Sequence, residues 1–470
     1  MAMYFILFIV YIYIYILVPV EMSRLSIGIM ILIPSIAILF YFLNTANKED
    51  ANKYYLNFSL LFLFGYIIVH FQYYFDYILG YIDDSYLFIW INPAIVTKSL
   101  FLSGSGLLSF LIGYNLFERR KLVNFVVKPN AVDIEKSVTI LKLISFILLT
   151  IYFFTVDPLY FLGFYGHIIF QPITEYSILI FQIITIVIIV QHNQNLFSRD
   201  VKNITFFTYL KTMGFSYIFL ILIYLISVIL SGDRGPVITF SLAFLGGYLY
   251  VTKRKLKIRY IIIILLIGSF FMSILGIARS LDKSYDFSDR IIDSMELFGI
   301  HSNSISPFTL ELAGSVRTLH ASVDYVPNNY PHSLGRFQLN QVISVIPFIS
   351  SIIPDLDSEV KYRGTSSFIT WIIQGDDPWS GTGTTMIADL YIDFSIFGVV
   401  VGMFLFGIFV LYSEKKMLSN SYESPYLQIL ILLYFSNSIY ISRSSILFIL
   451  KMVAWATIIF FINRHILNES

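Results

Sequence analysis

Three side chains of this sequence could together bind an anion and accept a proton. Arg317, His320 and Asp324 are spaced i, i+3 and i+7, so on a helix they share one face. An Asp one turn from a His can orient the imidazole ring and raise its basicity, as a general base requires. A surface helix with ordinary charge pairs explains the same spacing, so both interpretations stay open.

Two further side chains are candidates for the general base. His332 lies between Pro331 and Gly335, in a segment typical of a loop. Asp389 lies in an apolar stretch, where acids are costly and often functional, although pairing with a nearby arginine is the alternative. The sequence has no cysteine, no His pair at metal-ligand spacing and no nucleotide-phosphate motif. We therefore expect neither a metal ion nor a cofactor.

Arginine is the main basic residue on one side of the predicted bundle. Its planar guanidinium matches carboxylate and phosphate oxygens, so these side chains predict an anionic ligand. The arginines concerned are Arg234, Arg279, Arg317, Arg336, Arg363 and Arg443. For each of them, pairing with a nearby acid or capping of a helix carbonyl is the alternative.

Three predicted helix starts carry glycine or hydroxyl residues. They lie at 231–236, 380–385 and 442–445, and two of them contain Arg234 and Arg443. The unpaired N–H groups and partial positive charge of a helix N-terminus attract anions. If the three ends converge, they form a phosphate site; if not, these residues are ordinary caps and turns.

A bundle of membrane helices must position these groups. Of 470 residues, 57% are hydrophobic and 13% charged, with a net charge of +1. This composition excludes a disordered chain, an ordinary soluble enzyme and a basic nucleic-acid-binding module. A spanning helix needs about 20 apolar residues. Twelve runs are candidates: 3–20, 25–43, 55–80, 91–117, 138–156, 173–191, 210–230, 235–251, 258–279, 385–412, 424–441 and 445–463.

The distribution of Lys and Arg predicts the orientation. With both termini inside, the inside loops and their borders hold eighteen Lys and Arg, against three in the short outside loops. The positive-inside rule then places both termini in the cytoplasm. In a bacterium the protein would lie in the inner membrane. We expect nine spans in 1–279, a periplasmic loop over 280–384, and three spans in 385–470.

The loop 280–384 is too long for a simple connection and predicts structure of its own. Ser306-Pro307 is typical of a helix start, and apolar residues follow at helical spacing over 307–325. A second amphipathic stretch covers 337–353. We interpret both as helices lying on the outer leaflet; core helices of a small external domain are the alternative.

Three stretches carry a resemblance to a known family. They are the turn Ser231-Gly232-Asp233-Arg234-Gly235-Pro236, the large loop with Tyr330, Gly335 and Pro347, and the segment 383–394 (GTTMIADLYIDF) followed by Gly398 and Gly402. In these stretches and in its overall topology the chain resembles bacterial O-antigen polymerases of the Wzy type. It departs from many of them at Asp389, where Glu is common, and at Ser395, near which Gly is common.

The resemblance implies an all-α inner-membrane glycosyltransferase with a GT-C-like fold. Such an enzyme transfers the growing glycan from undecaprenyl diphosphate onto the next lipid-linked repeat unit at the periplasmic face, and direct displacement would invert the anomeric centre. Its partners would be the lipid-linked donor and acceptor, membrane lipid and a chain-length regulator (a polysaccharide co-polymerase), without nucleic acid. Under this resemblance the diphosphate contacts would be Arg234, Arg279 and Arg443 first, and the base His320 or His332.

Three other functions stay open on the sequence. An O-antigen ligase has a similar fold and donor but uses a lipid A core acceptor. A lipid-linked oligosaccharide flippase also has about twelve spans, yet would not need an external loop of a hundred residues. A non-catalytic scaffold for glycan assembly is the third alternative.

Overall fold

The computed structural model describes residues 1–46, 57–117, 134–162, 170–199, 201, 204–253, 268, 274, 290, 292–294, 304–346, 359–418 and 424–468. Within these ranges the regular secondary structure is helical, and no strand occurs. The α-helices are α1 Ala2–Leu17, α2 Arg24–Ala46, α3 Phe58–Leu79, α4 Leu87–Trp90, α5 Pro93–Leu116, α6 Ile134–Thr155, α7 Pro172–Ser198, α8 Phe206–Thr212, α9 Phe215–Ser231, α10 Gly235–Thr252, α11 Leu310–Ala313, α12 Val316–Tyr325, α13 Arg336–Ile343, α14 Thr365–Gln374, α15 Met386–Leu418, α16 Pro425–Ser436 and α17 Leu450–Asn468.

Seven of the described helices are long and apolar enough to cross a membrane. Helices α8 and α9 meet at 106° and add an eighth span if the bent pair crosses as one. The predicted polytopic α-helical membrane protein is thus confirmed. The predicted spans 3–20 and 424–441 correspond to α1 and α16, which are shorter than a spanning helix. The predicted span 258–279 lies outside the described residues, apart from Gly268 and Ile274.

Glycines allow α5 and α15 to pack closely along their lengths. A Cβ atom at Gly113 would overlap the carbonyl oxygen of Phe404, and one at Gly407 would overlap that of Phe110. Small residues at such positions let two membrane helices approach until their backbones touch. The α5–α15 pair therefore forms a rigid support for the residues at its ends.

Helix α15 is interrupted after its first eight residues. Phe394 (φ −130°, ψ 15°) and Ser395 (φ 58°, ψ −156°) leave the helical conformation. The break divides α15 into a short first part that contains Asp389 and Asp393 and a long second part that contains Gly402 and Gly407. Neither proline nor glycine occurs at the break, so the apolar pattern of the sequence predicts one uninterrupted helix.

The described parts of the predicted loop pack against one end of the bundle. We call this end the site face: the end at which segments 304–346 and 359–385 contact α3, α5 and α15. The helix predicted over 307–325 is divided into a 3-10 turn at Pro307–Thr309, α11 and α12, with a break at Gly314 and Ser315. The helix predicted from 337 begins at Arg336 but ends at Ile343, well before 353.

Candidate functional site

Asp389 joins three separate segments at the site face. Its fully buried carboxylate accepts hydrogen bonds from Gln338 Nε2 (2.6 Å) and Gln341 Nε2 (3.4 Å) of α13, and from the Thr365 hydroxyl of α14. It also accepts one from the backbone N–H of Ile446 (3.0 Å). Four donors satisfy both oxygens. Within the described residues, these four hydrogen bonds therefore hold the carboxylate, and the arginine partner given as the alternative is not observed there.

Asp393, one turn further along α15, caps the N-terminus of α13. Its Oδ1 accepts the N–H of Phe337 (3.3 Å), and its Oδ2 accepts the N–H of Gln338 (2.9 Å). A carboxylate at this place satisfies two unpaired helix donors and complements the helix dipole. The cap is supplied from a distant segment because Gly335, at the N-cap position, has no side chain to provide it.

The break in α15 leaves three backbone carbonyls without their helical partners, and residues 332–334 donate hydrogen bonds to them. The carbonyls of residues 391–393 would bond to the N–H groups of residues 395–397 in an unbroken helix. Instead, Ile392 O accepts the N–H of Ser333 (3.1 Å) and Asp393 O accepts the N–H of Leu334 (2.9 Å). Tyr391 O accepts the Nδ1–H of His332 (3.0 Å). The strained backbone at Phe394 and Ser395 thus fixes where His332 lies.

His332 is held in a defined tautomer. Because a carbonyl oxygen can only accept, Nδ1 carries a proton, so Nε2 is the nitrogen that is available to take up another. The imidazole is half-buried and packs edge-on against the ring of Tyr391, with centroids 5.2 Å apart. Nε2 has no hydrogen-bond partner among the residues that the structure covers. This geometry suits a group that accepts a proton.

His320 lies in a different environment from the one expected. Its side chain is fully buried beside Trp90, Nδ1–H donates to Ile89 O (2.7 Å), and Nε2 accepts the Tyr74 hydroxyl (2.8 Å). Burial lowers the pKa of the imidazole to about 4. Both nitrogens are therefore already engaged by the core, and the ring stays neutral.

The expected pair of His320 and Asp324 does not form. Asp324 Oδ1 instead accepts the Nδ2–H of Asn92 (2.8 Å), the residue that caps α5. The spacing does put both side chains near one face of α12, but His320 points inward while Asp324 reaches the end of α5. The contact that fixes the His320 ring comes from α3 and α4, which the local spacing could not reveal.

Arg234 and Arg317 lie in different surroundings: the first is paired with an acid and the second packs on an aromatic ring. Arg234 forms an ion pair with Glu311 of α11, as the alternative interpretation had it. Arg317 is half-buried over the ring of Phe88, 4.4 Å from its centroid, and burial lowers the pKa of its guanidinium. The Nε of Arg317 is buried and has no hydrogen-bond partner within the described ranges.

The remaining predicted arginines lie in three different settings. Arg336 is exposed above the ring of Tyr362, 4.5 Å from its centroid, and Arg363 is exposed in the next segment. Arg443 ends a 3-10 turn, Ile441–Arg443, and is half-buried. Arg279 lies outside the described residues. Arg317 and Arg336 thus lie on helices α12 and α13 of the site face, and Arg363 lies in the bend before α14.

Two of the three predicted helix starts are confirmed and one is wrong. Helix α10 begins at Gly235, whose N–H donates to Asp233 Oδ1 (3.1 Å), and α15 begins at Met386, where the Thr385 hydroxyl accepts the N–H of Ala388 (3.2 Å). The third helix, α17, begins at Leu450 rather than near residue 445. Ser444 is extended, and a turn follows it. In this turn the backbone N–H of Ile446 donates to the Asp389 carboxylate.

The aromatic residues of the external segments mainly form a core. Phe368 is fully buried, and the rings of Tyr325, Tyr330, Phe337 and Trp371 pack around it within 6.2 Å. Among the described side chains, no group of three His, Asp or Glu residues is placed to hold a metal ion.

Sequence reasoning missed Asp393, Gln338, Gln341 and Thr365 as residues of the site. The signal that could have revealed Asp393 is its i, i+4 spacing from Asp389 within an apolar run, which places two acids on one helix face. No local signal identifies the two glutamines or the threonine, because their partner is distant in sequence.

The fold and the site define a class: a polytopic membrane protein in which short helices at one end of the bundle are anchored by two buried carboxylates, beside a histidine and several arginines. The family model for the O-antigen polysaccharide polymerase Wzy matches residues 1–464, nearly the whole chain, so the chain belongs to this family. Membership implies glycosyltransferase-type activity on lipid-linked glycans in a membrane. No curated protein and no solved structure matches the chain.

Proposed function

We propose that this protein elongates O-antigen by moving the growing glycan from undecaprenyl diphosphate onto the next lipid-linked repeat unit, with inversion at the anomeric carbon. The observation that carries the catalytic part of the proposal is the geometry of His332. Its Nδ1–H is held by the carbonyl of Tyr391 (3.0 Å), which leaves Nε2 as a proton acceptor at the site face.

The reaction assigns distinct roles to His332 and the arginines. The acceptor hydroxyl loses its proton to His332 Nε2 as its oxygen bonds to the anomeric carbon, and the bond from that carbon to the diphosphate oxygen breaks. Negative charge then develops on the leaving diphosphate, and positioned cations stabilise such charge effectively. We put Arg317 first in this role, because its buried Nε lacks a partner among the described residues.

The other predicted residues take supporting roles in the proposal. Arg336 and Arg363 lie exposed on the same external segments, and we assign them to the approach of the charged substrate; Arg279 and Arg443 remain proposed contacts of the diphosphate. Arg234 is paired with Glu311, and we propose that it fixes α11 to the start of α10. Asp389 and Asp393 hold α13 in place, and we propose His332 rather than His320 as the base.

The test uses purified protein and a lipid-linked repeat unit. His332→Asn keeps a donor near the place of Nδ1 for the Tyr391 carbonyl but removes the acceptor nitrogen. We expect chain extension to fall by about 100-fold or more, the usual contribution of a general base, with thermal stability retained. His465→Asn, at an exposed residue of α17, is the control. Wild-type extension rates in His332→Asn would reject the assignment of the base.

The same assay separates the alternative functions. Extension into a ladder of longer chains by protein in detergent, without a second leaflet, excludes a pure flippase. A ligase would attach glycan to a lipid A core acceptor and would not lengthen lipid-linked repeats. A protein that produces no ladder with any lipid-linked repeat unit would contradict the proposed polymerase activity.

A further inference from the structure

Lys98 lies near residues of two other helices, α1 and α15, at the site face. It is the sixth residue of α5, and both α1 and α15 pack against α5. Its Nζ lies 5.4 Å from the centre of the Tyr391 ring of α15. Tyr15 of α1 is also close enough to interact with the ammonium electrostatically. The side chain is half-buried between these two phenols.

The ammonium group of Lys98 has no hydrogen bond and no ion pair among the described residues. Three other lysines of the membrane helices find acceptors: Lys142 donates to Met213 O, Lys253 to Met417 O and Lys415 to Phe117 O. A partly buried cation in a membrane helix is costly unless it is paired or reaches water, and such groups often mark a ligand path. The ammonium group of Lys98 could therefore bind an anionic group of a ligand.

Lys98 lies near both the exposed apolar end of α1 and the ring that contacts the candidate base. The last turn of α1 exposes Ile16 and Leu17, so an apolar chain can lie against this side of the bundle. On the inner side, the Tyr391 ring that contacts Lys98 also contacts the ring of His332, whose centroid lies 5.2 Å away. An anion bound to Lys98 would thus lie next to the ring that packs against His332.

We propose that Lys98 binds a phosphate of an isoprenoid diphosphate whose tail enters the bundle between α1 and α15. The inference rests on the proposed function for the identity of the lipid, but its geometry rests on Lys98, Tyr15 and Tyr391 alone. The ligand chemistry is a phosphate ester carried by a lipid. A phospholipid headgroup shares that chemistry, so the experiment must distinguish the two.

The binding of undecaprenyl diphosphate to the full-length protein in detergent tests the proposal directly. Loss of a charge-assisted contact costs on the order of tenfold in affinity or more. We expect Lys98→Met to weaken the binding of undecaprenyl diphosphate by about that factor, and Lys98→Arg to restore most of it. Equal dissociation constants for the wild type and Lys98→Met would overturn the proposal, because Lys98 would then only extend to water.

Lys451 provides a matched control. It is also half-buried between two aromatic rings, with Nζ 5.5 Å from the Tyr176 centroid and 5.4 Å from that of Trp455. Lys451→Met should leave the affinity for undecaprenyl diphosphate unchanged. An equal loss in both variants would contradict a specific site at Lys98, since it would reflect the total positive charge of this end of the bundle.

Competition identifies the source of the phosphate. If the site at Lys98 is specific for the diphosphate, phosphatidylglycerol in large excess should displace undecaprenyl diphosphate poorly from the wild type. Displacement at equal concentration would overturn that specificity and identify a phospholipid headgroup as the ligand. Binding is measured without glycan transfer. If the wild type proved inactive in chain extension, the proposed function would be contradicted, but the binding data would still show whether Lys98 contacts the diphosphate.

Discussion

Asp393 accepts the backbone N–H groups of Phe337 and Gln338, so a carboxylate of membrane helix α15 caps external helix α13. The cap connects the part of the protein that lies within the membrane with the segment that carries His332 and Arg336. It also explains why α13 begins at Arg336, directly after a glycine that cannot cap its own helix.

Asp393→Asn should loosen α13 without unfolding the bundle. The amide keeps one acceptor oxygen but loses the charge that favours a helix N-terminus, and loss of a cap costs about 1 kcal/mol. We expect faster hydrogen exchange at the amides of Phe337 and Gln338, with no change at α5. Asp377→Asn, at an exposed residue, is the control. Unchanged exchange over 336–343 would contradict the capping role.

Asp389 should tolerate Asn better than Leu. Asp389→Leu leaves four donors without an acceptor, and each buried unsatisfied group costs about 1–3 kcal/mol. In Asp389→Asn the new amide can face the Thr365 hydroxyl and Gln341, whose Oε1 is buried without a hydrogen bond in the described structure. We expect melting temperatures in the order wild type, Asn, Leu. If Asn is as damaging as Leu, charge rather than hydrogen bonding determines the role of Asp389.

The limits of sequence reasoning are visible at these two acids. The start of α10 follows from adjacent residues, Gly232 and Pro236, and was predictable. The partners of Asp389 come from residues 338, 341, 365 and 446, and only the folded chain brings them together. The break at Phe394 was hidden because its residues continue an apolar run, and the late start of α17 was hidden because residues 446–449 are equally apolar.

Ser395→Gly should stabilise the protein. Ser395 has φ 58° and ψ −156°, a region that is strained for a residue with a Cβ and is open to glycine. Relief of this strain should raise the free energy of unfolding by about 1 kcal/mol, while the hydrogen bonds of segment 332–334 to the freed carbonyls are kept. The melting temperature in detergent measures the effect, and Ser413→Gly, inside the regular second part of α15, should lower it.

The orientation predicted from charge can be measured because the chain contains no cysteine. Single cysteines at Leu334 and Lys211, both exposed, provide one reporter at the site face and one on α8. In intact spheroplasts we expect a membrane-impermeant maleimide to label Leu334→Cys and to label Lys211→Cys only after lysis. The reverse pattern would place the site face in the cytoplasm and contradict the periplasmic reaction.

The neutral state of His320 should make stability depend on pH. Burial lowers the pKa of this imidazole from 6.5 to about 4. The unfolded chain then binds a proton between these two values that the folded protein does not, so stability is full above pH 6.5 and falls as the pH decreases toward 4. At 1.36 kcal/mol per unit the loss amounts to about 3 kcal/mol.

His320→Asn isolates that effect. The amide can keep a donor toward Ile89 O, as Nδ1–H does, but it cannot be protonated in this range. We expect the melting temperature of the wild type to fall more steeply between pH 7 and pH 4.5 than that of the variant. His465→Asn, at an exposed site, should follow the wild type. Parallel curves for all three proteins would mean that His320 has the same pKa in the folded and unfolded states, which would contradict the lowered pKa of the buried ring.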